Sequence, residues 1–147
     1  MTWMTKKFLA EIGKGYIRPL ADDLGLRDWE IYVELSKVDP TEDGRFKHAA
    51  TCEPCHGRKY AAITLYPGFF DQAPDRQKST LVHELLHCHF FGMLDMVRRD
   101  LPQHLGQQGF DLFWDGFNRQ MEYAVDGLAV EIARLVKSVP DPPQPDE

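Results

Sequence analysis

Apolar and polar positions along the chain change period several times, and each change marks an element. Phe8, Ile12, Tyr16 and Leu20 recur at helical spacing over residues 5–24, while Gly13, Gly15 and Pro19 predict one broken helix or two short ones ending near Gly25. Residues 29–35 alternate apolar and polar in a β-rich composition, as a half-buried strand does. Residues 39–44, rich in Asp, Pro and Gly, read as a turn. A second strand is expected over 46–51 and a third over 59–66, with Ala61, Ile63 and Leu65 on one face and residues 52–57 as the hairpin connection. Three antiparallel strands are the simplest sheet.

Helical spacing returns near residue 75 and predicts a helix to at least Phe91, ended by Gly92 or carried through Leu94 and Val97 to Pro102. From Phe110 on, Phe113, Phe117, Met121, Ala124, Leu128, Ile132 and Leu135 recur every three or four positions and predict a long helix ending near Ser138. Four prolines between 140 and 147 predict a disordered tail. The expected fold is α+β, one domain over residues 1–139, with a small antiparallel sheet packed on the middle helix and the long C-terminal one.

Composition narrows the partners. With 17 basic and 23 acidic residues in 147, the net charge of −6 and the lack of a basic run argue against a nucleic-acid surface. No stretch approaches the ~20 apolar residues that span a bilayer. The first residues lack the apolar run of a secretory signal. Three cysteines form no disulfide framework, which fits a reducing compartment. A soluble, cytoplasmic protein is the expectation.

The chemistry concentrates in residues 80–89. His83-Glu84-Leu85-Leu86-His87 is an H-E-x-x-H string, which on a helix sets two imidazoles one turn apart on one face with a carboxylate beside them. Two neutral imidazoles at that spacing grip a zinc ion, and Glu84 is placed to take a proton from water bound in the open position. A third protein ligand is then required. Glu122 on the C-terminal helix is the best donor, and Asp126, one turn on, is placed to accept the free ring N–H of His83 or His87 and fix its tautomer. His89 falls on the opposite side of its helix. The residue that steadies an oxyanion stays open: His104 and Tyr66 are candidates, whereas Tyr123 turns about 100° away from Glu122.

H-E-x-x-H at 83–87 followed by Glu122-x-x-x-Asp126 resembles the gluzincin zinc metallopeptidases, especially the ImmA/IrrE-like peptidases and minigluzincins. The resemblance covers about residues 58–137. It implies a zincin-like fold, Zn2+ on His83, His87 and Glu122, catalysis by Glu84, Asp126 behind the ligands, and a protein or peptide substrate lying along the strand at 59–66 as the sheet edge. The alternative is a zinc-bound regulatory or interaction protein without turnover. A segment 92–109 folded over the metal would favour it.

Cys52-x-x-Cys55-His56 has the outline of a metal turn, with His48 or Cys88 as further donors to a second, structural zinc. The plainer reading is two thiols in a hairpin, with Cys88 a small packed residue.

Overall fold

The computed structural model describes residues 6–38, 48–136 and 142–143. The turn expected at 39–44, the start of the strand expected at 46–51 and most of the proline-rich tail lie outside them. Pro142, which belongs to that tail, is buried.

The N-terminal segment forms a single helical path instead of two pieces. It consists of α1 (Lys6–Ala10), a π-helical segment (Glu11–Ile17) and α2 (Arg18–Asp23). The wider π turns absorb the two glycines, and Pro19 falls in the first turn of α2, where its missing N–H costs little. At Gly13 the helix packs directly on the sheet, with room for a Cβ in ordinary contact with Val33 Cγ2 at 3.4 Å. Ile12, Tyr16, Ile17, Leu20 and Ala21 are buried. After Gly25, at φ +79°, the chain turns back under Arg18, whose guanidinium donates to the carbonyls of Leu26 (2.7 Å) and Trp29 (2.6 Å) and pairs with Asp22.

The sheet comprises β1 (Glu30–Leu35), β2 (Ala50–Pro54) and β3 (Tyr60–Leu65) in the order β1-β3-β2. It is mixed, not antiparallel. β2 and β3 form the expected hairpin, but β1 pairs with the other side of β3, in parallel, with Ile31 opposite Ala61 and Val33 opposite Ile63. The connection from β1 to β2 is long enough to carry the chain past β3. Ala61, Ile63 and Leu65 share one buried face, as their alternation predicts. The strand at 59–66 is therefore central, and the edges are β1 and β2, with β2 the one that lines the cleft described below.

Cys52 lies within β2 and not in the hairpin loop, because pairing with Ile63 carries the strand on to Pro54. The bonds from Tyr66 N–H to the Ala49 carbonyl and from Cys55 N–H to the Tyr60 carbonyl fix which residues face β3. By the antiparallel alternation, the backbone groups of Ala50, Cys52 and Pro54 point to the open edge.

A short α3 (Pro67–Phe70) leads to α4 (Pro74–Asp100) and α5 (Pro102–Leu135). Gly92 does not stop α4, which reaches Asp100. α5 begins earlier than the Phe110 expected, and a kink at Gly106 (φ 68°, ψ 165°) interrupts it. α4 buries Leu81, Val82, Leu85, Leu86 and Cys88 against the sheet and the N-terminal helices. α5 buries Phe110, Val125 and Ala129. Leu128 and Leu135, assigned to the apolar face by periodicity, are exposed because the inward face carries Val125 and Ala129 instead. No helix among the described residues is long and apolar enough to cross a membrane.

Candidate metal centre

α4 and α5 lie side by side, and their facing stripes meet at three side chains. His83 and His87 project from consecutive turns of α4, and Glu122 faces them from α5, with one ligand atom of each lying within 4.8 Å of the others. The separations are 3.1 Å between the two Nε2 atoms, 3.3 Å from His83 Nε2 to Glu122 Oε2 and 3.9 Å from His87 Nε2 to Glu122 Oε1. Donors about 2.0–2.1 Å from a tetrahedral zinc stand roughly 3.3 Å apart. The spacing therefore fits one small cation.

Protonation supports the same conclusion. His83 Nδ1 lies 2.8 Å from Asp126 Oδ1, so its ring proton belongs on Nδ1 and its Nε2 lone pair faces the other donors. Converging lone pairs repel unless a proton or a metal cation stands among them. Burial lowers the affinity of His83 for a proton, but Glu122, Glu84 and Asp126 outweigh it, and its pKa is raised. His87 is pushed down, chiefly by burial. Glu122 is lowered, mainly by its bond to His83. His83 and Glu122 are thus shifted toward their charged forms, and His87 toward the neutral imidazole.

Glu84 lies beside these donors and is almost completely buried. Burial first, with Glu122 and Asp126 adding to it, drives its pKa up to about 8, while His83 and the backbone of Cys52 oppose the rise. The outward N–H of Cys52 thus donates to the Glu84 carboxylate and ties the edge strand to α4. Cys52 also faces Cys88, with 3.8 Å between sulfurs, and this shared bond, then burial, pushes the Cys52 thiol up.

The donors open into a cleft of about 790 Å³ between β2, α4 and α5. His83, Glu84, His87 and Glu122 line one end. Phe91, Leu94, Asp95, Arg98, Arg99 and Trp114 line the other, so the segment 92–109 contributes a wall and does not cover the donors. Glu122 remains 43% exposed.

Other residues singled out by the sequence lie elsewhere. His89 turns away and bonds the Leu24 carbonyl at 2.8 Å. His104 is exposed on α5, Tyr123 is exposed, and Tyr66 bonds Thr51; none of the three lines the cleft. Cys52 and Cys55 do not share a donor set. Cys52 meets Cys88, Cys55 is exposed beside the His56 carbonyl, and among the described residues His83, His87 and Glu122 form the one group of three donors.

The sequence reading missed the distal wall of the cleft. There His56 Nδ1 pairs with Asp95 (2.5 Å), and Arg99 reaches both Asp95 and His56. Helical spacing carried part of this signal: Phe91, Leu94 and Arg98 continue the stripe of His83 and His87.

No protein-family model, curated protein or solved structure matches the chain.

Proposed function

We propose that this protein is a zincin-like, zinc-dependent endopeptidase. The observation that carries this reading is the convergence of His83, His87 and Glu122 at ligand spacing, with Glu84 beside them in an open cleft. Zn2+ bound to these three residues supplies Lewis acidity to a water and to the scissile carbonyl. His83 is held in the ligating tautomer by Asp126. Glu84, favoured as the carboxylate once positive charge stands between the donors, takes the proton from the attacking water and returns it to the leaving amine. The buried pocket around Glu84 excludes bulk water from that transfer.

An extended peptide lies along β2 and pairs with its outward backbone groups other than the Cys52 N–H, which Glu84 holds, in a form of strand addition. The open wall made by residues 92–109 favours turnover over a capped, inert scaffold.

Elemental mass spectrometry of untagged protein tests the metal: about one zinc per chain is expected, and none in His83→Ala or Glu122→Ala. A peptide mixture read by mass spectrometry tests the reaction. The wild type cleaves internal bonds and Glu84→Gln, still holding zinc, does not. Equal hydrolysis by Glu84→Gln sinks the mechanism.

A further inference from the structure

The cleft extends well past the metal donors, and its far end carries a specific chemistry. On α4, His83, His87, Phe91, Leu94 and Arg98 follow one another at i, i+4, i+8, i+11 and i+15, so a single face runs from the ligands to Arg98. Arg98 stands three turns beyond His87, about 16 Å along the axis at ~1.5 Å per residue. An extended peptide covers that distance in about five residues.

The ions at this end are unequal. Asp95 is paired with Arg99 and bonded to His56, and Arg99 also bonds Asp100. Arg98 has no carboxylate partner among the described residues. Its guanidinium instead lies over the Trp114 ring, 5.2 Å from the centroid. Trp114 is braced in turn by Phe110, at 5.7 Å between centroids, and Phe117, at 6.0 Å. A guanidinium stacked on a fixed ring has lost much of its rotational freedom and still presents its N–H edge to a carboxylate. Glu53, which likewise has no ion-pair partner among the described residues, sits nearer His83 and His87, since Cys52 meets Cys88 while His56 meets Asp95 further along α4.

We infer that Arg98, held on Trp114, is a specificity site for a carboxylate on the bound peptide, about five residues from the scissile bond, with Phe91 and Leu94 taking an apolar side chain between them. The chain's net negative charge gives no hint of such a preference, because it is set by one local cation. The inference rests on reading the cleft as a peptide site. The carboxylate belongs either to an Asp or Glu side chain or to the peptide's own C-terminus.

Both sources are separable by titrating capped peptides into zinc-supplied Glu84→Gln protein and following the Trp114 indole and Arg98 side-chain N–H signals by NMR. The probes are acetylated, amidated alanine-based heptapeptides with one leucine and, two residues on, glutamate or glutamine, the spacing that the roughly 6–10 Å from Phe91 and Leu94 to Arg98 allows, plus a neutral peptide of the same length with a free C-terminus. The glutamate peptide is expected to bind about fivefold more tightly than the glutamine one, the size an exposed but stacked pair supports. Arg98→Ala should erase the difference between the glutamate and glutamine peptides, with Arg98→Lys in between. A gain confined to the free C-terminus supports the site as one for a chain end. Equal binding of glutamate, glutamine and free-terminus peptides, a preference that survives Arg98→Ala, or no peptide binding overturns it. An Arg98-dependent preference in a wild type that hydrolyses nothing would remove the peptidase reading alone.

Discussion

His83 Nδ1 and Asp126 Oδ1 lie 2.8 Å apart, joining a residue of α4 to one of α5 behind the metal donors. The carboxylate sits on the far side of the imidazole from the cation site and decides which nitrogen is left to ligate. Asp126→Asn should keep the fold and weaken zinc affinity by about 10- to 100-fold, the usual cost of losing such a partner. Competition with a chelator of known affinity reads this directly. An unchanged affinity would show that the His83 tautomer is held by something else.

In metal-free protein, pH acts mainly through Glu84. Its folded pKa, about 8, lies above the usual carboxylate value, so the folded state binds a proton that the unfolded state releases. That contribution is fully present below about pH 4.5 and is lost as pH rises toward 8. His83, raised, is lost in the same sense above about pH 6.5, whereas His87, lowered, gains as pH rises through that value. Glu122, lowered, loses its stabilisation only as the pH falls below the carboxylate range. Urea unfolding in EDTA should therefore show stability falling by a few kcal/mol, on the order of what a shift of this size carries, between pH 5 and pH 8. Glu84→Gln should flatten the fall, and saturating zinc should oppose it by binding the folded state. A wild-type profile as flat as that of Glu84→Gln would contradict the buried, protonated carboxyl.

Away from the site, Arg18 closes the turn between α2 and β1 through two backbone carbonyls and Asp22. Arg18→Ala leaves those carbonyls half-buried without their donor and should cost about 2 kcal/mol, the scale of hydrogen bonds from a charged group. Chemical denaturation measures it. Zinc stoichiometry should not change, because no ligand depends on that turn.

Much of the centre could be read from the chain because helical spacing is local. His83 and His87 fall together from their separation alone, and Glu122 shares a face with Val125 and Ala129, which are indeed buried. What spacing does not encode is which strand pairs with which. The alternation of 29–35 and 59–66 is the same whether the strands run parallel or antiparallel, so the mixed order β1-β3-β2 and the edge position of β2 emerged only in three dimensions. The same holds for Cys52. Its closeness to Cys55 in sequence suggested a shared role, but strand pairing carries it to Cys88 instead. The long apolar run on α5 misled differently: Leu128 and Leu135 fit the period, but packing selected the smaller side chains where two helices approach.

One feature of the helical pair reaches beyond any single residue. α4 carries His83 and His87 at one level and Arg98 at another, while α5 carries Glu122 level with the histidines and Trp114 level with the arginine. The residues offered to an ion and those offered to the far end of a ligand thus stand on the same two rods, like a calliper read at two points. Spreading the rods to admit a bulkier chain would pull Glu122 away from the histidines, so a filled metal site sets the gauge of what fits.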